Sequence, residues 1–197
     1  MTTAAMATSS TTLSSLLDTP DVTQPQLAAH LDALDSETRR SEIHALSGKA
    51  QKRLWDVCKG APAFTLEDLV PASLGEGKEV IYAGKNSLAM FTLFEKRMMR
   101  KGGEIIGYNF QTMAWFTGPG YFTCLQAKDG EILFDYTKVP AQGPTEWPTS
   151  VPNTGMFSKL VYGNMNDYNR RVSKDVLIGS AFRNGKDIHS YYVLSRR

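Results

Sequence analysis

The chain has 197 residues, 42% of them hydrophobic and 21% charged, and 22 Lys and Arg against 20 Asp and Glu leave a net charge of +2. That composition lies near the globular average, far from disordered, collagenous or coiled-coil chains, and a core of this size needs neither metal nor disulfide for stability. A charge so close to neutral lacks the strongly basic face that nucleic acid demands, so no nucleic-acid partner is expected.

The first twenty residues hold ten Ser or Thr, and no Lys or Arg precedes Arg39. The cationic start of a secretory signal is therefore missing, and residues 1–21 read as a disordered tail. Residues 22–197 read as one domain, a helical segment over 22–60 followed by a sheet-forming part over 61–197. Cys58 and Cys124 have no CxxC partner and read as reduced, buried thiols, which points to a cytoplasmic location. No apolar run approaches the ~20 residues of a membrane helix, so no integral membrane association is expected.

In chain order, Leu27, Leu31 and Leu34 recur at helical spacing behind Pro25, a proline suited to a first turn. Ser36 is placed to cap a second helix with Ile43, Leu46, Leu54, Val57 and Cys58 on its buried stripe. The pair Ser47 and Gly48 kinks or splits it, and Gly60 ends it. Thr65 and Asp68 form a capping box for one turn, stopped by Pro71. Val80 to Ala83 reads as a strand. The next segment, capped by Asn86 or Ser87 and running to Arg100, reads as a helix with Leu88, Phe91, Phe94 and Met98 buried.

Beyond Gly103 the period changes to two: Ile106, Tyr108 and Phe110 alternate with Gly107, Asn109 and Gln111. Strands follow over 121–126 and 132–137, joined at Asp129 and Gly130. Four prolines between Pro140 and Pro152 make a long surface loop, pinned to the body by Trp147. Phe157, Leu160, Val161, Met165 and Tyr168 mark a further helix. Residues 176–182 and 188–194 read as strands around Asn184 and Gly185, the strongest hairpin signal in the chain. About six strands and several helices predict an α+β fold: a curved antiparallel sheet or partly closed β-barrel covered by helices, with an N-terminal helical segment.

No chemical motif stands out. His30 and His44 lack second ligands at metal-binding spacing, GxSxG is absent, and the glycine-rich stretches do not open helices behind strands, so neither metal nor cofactor is expected. The densest feature is aromatic. Tyr108, Phe110, Trp115, Tyr121, Phe134, Tyr136 and Tyr191 are candidates to line an apolar pocket, with Arg170 and Arg171 as an anion clamp. On period two, Asn109 and Gln111 face away from Tyr108 and Phe110. Of the histidines, His189 shares the parity of Tyr191 and pairs with Asp135 as an acid–base candidate, should the protein be an enzyme.

Three functional readings follow. The first is a non-catalytic intracellular domain holding a small apolar or aromatic molecule in a cavity between sheet and helices. The second is a cofactor-free lyase or isomerase using the same cavity. The third is a protein–protein interaction module without a cavity, meeting its partner through Trp147 or the Arg170–Lys174 segment.

Overall fold

The computed structural model describes residues 11–88, 92–110, 119–138, 140, 147–148 and 163–197. Five helices precede the sheet: α1 (Leu13–Leu17), α2 (Gln24–Ala33), α3 (Ser36–His44), α4 (Gly48–Val57) and α5 (Leu66–Leu69). Eight strands follow: β1 (Val80–Asn86), β2 (Leu93–Lys101), β3 (Glu104–Phe110), β4 (Tyr121–Gln126), β5 (Ile132–Asp135), β6 (Met165–Arg171), β7 (Val176–Arg183) and β8 (Lys186–Arg196). Each strand pairs antiparallel with its neighbours in sequence, and β8 returns to pair with β1. The antiparallel α+β expectation holds. The barrel, however, is closed and has eight strands rather than about six.

The helix boundaries follow their caps. Asp35 accepts from the amides of Glu37 and Thr38 and so starts α3 one residue before the expected Ser36 cap. Ser47 Oγ accepts from the Ala50 amide at 3.1 Å, so the Ser47–Gly48 pair splits the long helix by capping a new one. Thr65 and Asp68 form the expected capping box around α5. Residues 13–17, assigned to the tail from sequence, form α1, because Leu13 and Leu17 are buried against the other helices.

The helix expected up to Arg100 is instead β2. Its residues are fair helix formers, but both edges of Leu93–Lys101 are occupied, by β1 through Met98↔Val80 and by β3 through Met98↔Gly107. Tertiary pairing overrides a weak local preference. The helix expected around residue 160 is corrected in the same way at its end, since Met165 and Tyr168 lie on β6, while Phe157, Leu160 and Val161 lie outside the described residues. At the 184–185 turn, Asn184 and Gly185 adopt φ values of 52° and 74°, the paired left-handed conformation a tight hairpin requires.

Two main cores result. One lies inside the barrel, where Val80, Met98, Ile105, Cys124, Ile132 and Leu177 meet Phe64, Leu69 and Val70 from the α5 segment. The other lies outside it, where Leu27, Leu31, Ile43, Leu54 and Trp55 pack on Val176, Ile178, Tyr191 and Val193 of β7 and β8. Interior rings press against glycines. A Cβ on Gly84 would stand 2.6 Å from the Phe94 ring, and one on Gly179 would stand 2.3 Å from Tyr192. Only a residue without a side chain admits those rings.

One end of the barrel is sealed. The α5 segment lies across the end bounded by the β2–β3, β4–β5 and β6–β7 turns, and three arginines bind its carbonyls. Arg100 Nε donates to Val70 O at 2.7 Å, Arg171 Nη2 to Ala63 O at 2.7 Å, and Arg196 Nη2 to the carbonyls of Asp68 and Leu69. A four-residue helix leaves most of its carbonyls unpaired, and these guanidinium groups supply the missing donors.

Candidate functional site

Strand geometry sends alternate side chains inward. On β2 the inward row is Phe94, Lys96, Met98 and Arg100, which puts a lysine among apolar neighbours. The register sets Lys96 opposite Asn109 of β3 and Tyr82 of β1, and sets Asp167 of β6 opposite Phe134 of β5. All face the interior. Lys96 is 2% exposed and Asp167 3%.

Their polar atoms converge. Lys96 Nζ donates to Tyr136 Oη at 2.5 Å, to Asn109 Oδ1 at 2.9 Å and to Asp167 Oδ2 at 3.4 Å. Tyr136 donates in turn to Asp167 Oδ2 at 3.1 Å, and Asn109 Nδ2 donates to Tyr136 Oη at 3.1 Å. Beside them, Tyr192 donates to Asn169 Oδ1 at 2.8 Å, while Asn169 Nδ2 donates to the carbonyls of Ile132 and Asp167. Aromatic rings enclose the ammonium: Phe122 at 4.7 Å from Nζ, Phe134 and Tyr192 at 5.0 Å, and Tyr136 at 5.1 Å.

Burial dominates the electrostatics. It pushes Lys96 below the ordinary lysine value, against the opposing attraction of Asp167, and pushes Asp167 above the ordinary carboxylate value, against Lys96 and the Tyr136 hydroxyl. Tyr192 is raised well above a normal phenol by burial and by the nearby carboxylate.

The residues proposed from sequence divide between the two surfaces of the barrel. Phe134 and Tyr136 face inward and join the cluster. Tyr108 and Tyr121 face outward and form a separate patch with Met99, Ile106 and Trp147, whose Nε1 donates to Glu79 Oε1 at 2.8 Å. Phe110 is exposed beneath the Arg97 guanidinium, and Tyr191 packs outward on Trp55. Trp115 and Gln111 lie outside the described residues.

The two arginines part as well. Arg170 points outward, stacks on Trp55 at 3.5 Å and pairs with Glu131 at 2.7 Å, while Arg171 holds Ala63 O and Asp68 at the sealed end. They do not converge as a clamp. His189 is exposed with φ 55° and has Asp187 at 3.7 Å, whereas Asp135 faces outward on β5, with β6 and β7 between, and accepts from Thr137. The structure does not bring His189 and Asp135 together.

Sequence reasoning missed Lys96, Asp167 and Asn169. The helix expected up to Arg100 leaves Lys96 off its apolar stripe, because Phe91, Phe94 and Met98 fall at spacings of three and four. The signal that identifies Asn109 was legible: its parity opposes Tyr108, and the inward row of β3 is Ile105, Gly107 and Asn109.

Cavities outside the barrel include three lined by described residues. The first, about 290 Å³, lies between the end of α4 and the β4–β5 turn, by Gly60, Gly130 and Arg170. Another of about 560 Å³ lies by Pro20 and Arg53, and one of about 230 Å³ by His44, Leu93 and Phe110. Among the described residues no three His, Cys, Asp or Glu gather to hold a metal ion, and no helix is long and apolar enough to cross a membrane. No protein-family model, curated protein or solved structure matches the chain.

Proposed function

We propose that the protein is a non-catalytic binding domain whose barrel interior takes a small apolar or aromatic molecule, with the Lys96–Asn109–Tyr136–Asp167 cluster as its polar anchor. One observation carries the reading: an ionisable pair buried inside an aromatic barrel. Such a pair is a poor way to stabilise a fold, because desolvation of both groups consumes most of what their attraction returns, and apolar residues of similar volume commonly do as well or better. A few convergent polar groups within apolar walls are, by contrast, the usual make-up of a small-molecule site. The sealed end directs access to the opposite end, toward which β1, β3, β5 and β7 run. The two unpaired, buried cysteines are in keeping with a cytoplasmic protein.

Native mass spectrometry of protein purified from its own cells tests this. The expected result is a retained small molecule that is lost in Lys96→Met. A protein that stays free of adducts, with no compound in an aromatic library raising its melting temperature, overturns the reading.

A second reading, a cofactor-free lyase or isomerase, is favoured by the opposed shifts of Lys96 and Asp167. It makes those two residues, rather than His189 and Asp135, the acid and base. Turnover of a retained molecule that vanishes in both Lys96→Met and Asp167→Asn would establish it.

A further inference from the structure

The hydrogen-bond inventory of the cluster is unbalanced in one direction. Lys96 has three N–H donors, and three acceptors already face them: Tyr136 Oη, Asn109 Oδ1 and Asp167 Oδ2. The Tyr136 proton goes to Asp167 Oδ2, and both Asn109 amide protons have acceptors, Tyr136 Oη and Gly120 O. Asn169 gives its two to backbone carbonyls. The Tyr192 hydroxyl lies within hydrogen-bonding reach of both Asp167 and Asn169, and its one proton goes to Asn169 Oδ1 at 2.8 Å. Every donor is therefore engaged. Among the described residues, the buried oxygen Asp167 Oδ1 has no hydrogen-bond partner.

From this census we infer that the molecule taken by the barrel is a neutral, largely apolar compound that presents a hydroxyl or N–H to Asp167 Oδ1, rather than a carboxylate or phosphate. The inference rests on the reading of the barrel interior as a binding site and adds the chemical class of its occupant. An anionic group would meet the Asp167 carboxylate in a desolvated setting where Lys96 has no proton left to give. A hydroxyl or N–H completes the acceptor. The rings of Phe122, Phe134 and Tyr192 around the cluster suit the flat apolar remainder of such a molecule. Sites of this kind discriminate strongly, because an analogue without the donor leaves a buried acceptor unpaired.

Three probes with one ring system separate the possibilities: 2-naphthol, 2-methoxynaphthalene and 2-naphthoate, titrated calorimetrically into the full chain. The expected order is naphthol tightest, roughly 10- to 100-fold ahead of the methyl ether, with the carboxylate weakest. In Asp167→Asn the amide oxygen has to face the Lys96 and Tyr136 donors, which turns the NH2 toward the position of Oδ1. The preference should then reverse in favour of the methyl ether.

Equal affinities of the three probes overturn the inference and leave the binding function standing. A naphthol preference that survives Asp167→Asn unchanged does the same, since the donor then pairs elsewhere. A retained natural molecule bearing no O–H or N–H also overturns it. Binding of none of the probes, together with adduct-free native spectra, removes the binding reading itself. Should Asp167→Asn fail to fold, the ranking of the three probes on the unaltered protein decides alone.

Discussion

The two ends of the barrel interior use positive charge in opposite ways. At the sealed end, Arg100, Arg171 and Arg196 sit at the rim, partly solvated, and bind the carbonyls of the plug around α5. Toward the other end, Lys96 is wholly enclosed, shares its protons with three side chains and leaves its acid one donor short. The first arrangement closes a structure with its polar groups matched. The second holds a polar centre that the fold alone does not complete, and this difference distinguishes a lid from a site.

The comparison is broken most forcefully at the plug. Phe64, fully buried under the Arg171 guanidinium, anchors it, and Phe64→Ala should lower unfolding stability by ~3–5 kcal/mol in urea titrations. A much smaller loss would mean that the sealed end is not part of the core. Next in size is the buried pair. Lys96→Met alone strands Asp167 and should cost ~3 kcal/mol, whereas Lys96→Met combined with Asp167→Leu should return to within ~1 kcal/mol of the parent. A double variant as damaged as the single one would show the pair to be a structural necessity and would remove its use as an argument for function.

Arg171→Ala should cost ~1–2 kcal/mol, through lost bonds to Ala63 and Asp68, without altering any ligand affinity. A change in affinity would restore it to the binding site for which the sequence first nominated it. The smallest effect concerns the thiols. Burial raises Cys58 to about 12 and Cys124 likewise upward, so both remain protonated in the folded protein. A disulfide reagent at pH 8 should leave native protein unlabelled and modify both cysteines once it is denatured. The stability that Cys58 contributes by staying neutral is complete below the unfolded thiol value of ~8.5 and is lost as pH climbs through that value toward about 12.

Legibility in the sequence followed local physics. Capping at Thr65, the break at Ser47 and Gly48, the Asn184–Gly185 turn and the alternation from Ile106 to Phe110 are decided by neighbouring residues, and they were readable. The nature of β2 was not. Its inward row interrupts apolar residues with Lys96, so a strand reading required burying an amine that only Asn109, Tyr136 and Asp167, 13 to 71 residues further along, make tolerable. The aromatic signal was real but ambiguous in direction. Tyr108 and Tyr121 find shelter outside the barrel beneath Trp147, which leaves the inner face to their less conspicuous strand neighbours Asn109 and Phe122.

The closing ladder between β1 and β8 carries a consequence for the order of assembly. The other ladders join strands consecutive in the chain, the widest gap being the one between Asp135 of β5 and Met165 of β6, whereas β1 and β8 meet across about a hundred residues, as in Ala83↔Ser195. That zipper is entropically the dearest and should form last on the folding pathway. Helix α3 rests across it, and Arg39 reaches Ser195 Oγ, Arg196 O and Asp175, so the helical layer acts as its latch. Amide exchange should accordingly run fastest along β1 and β8 once Arg39 is replaced, before any other rung loosens.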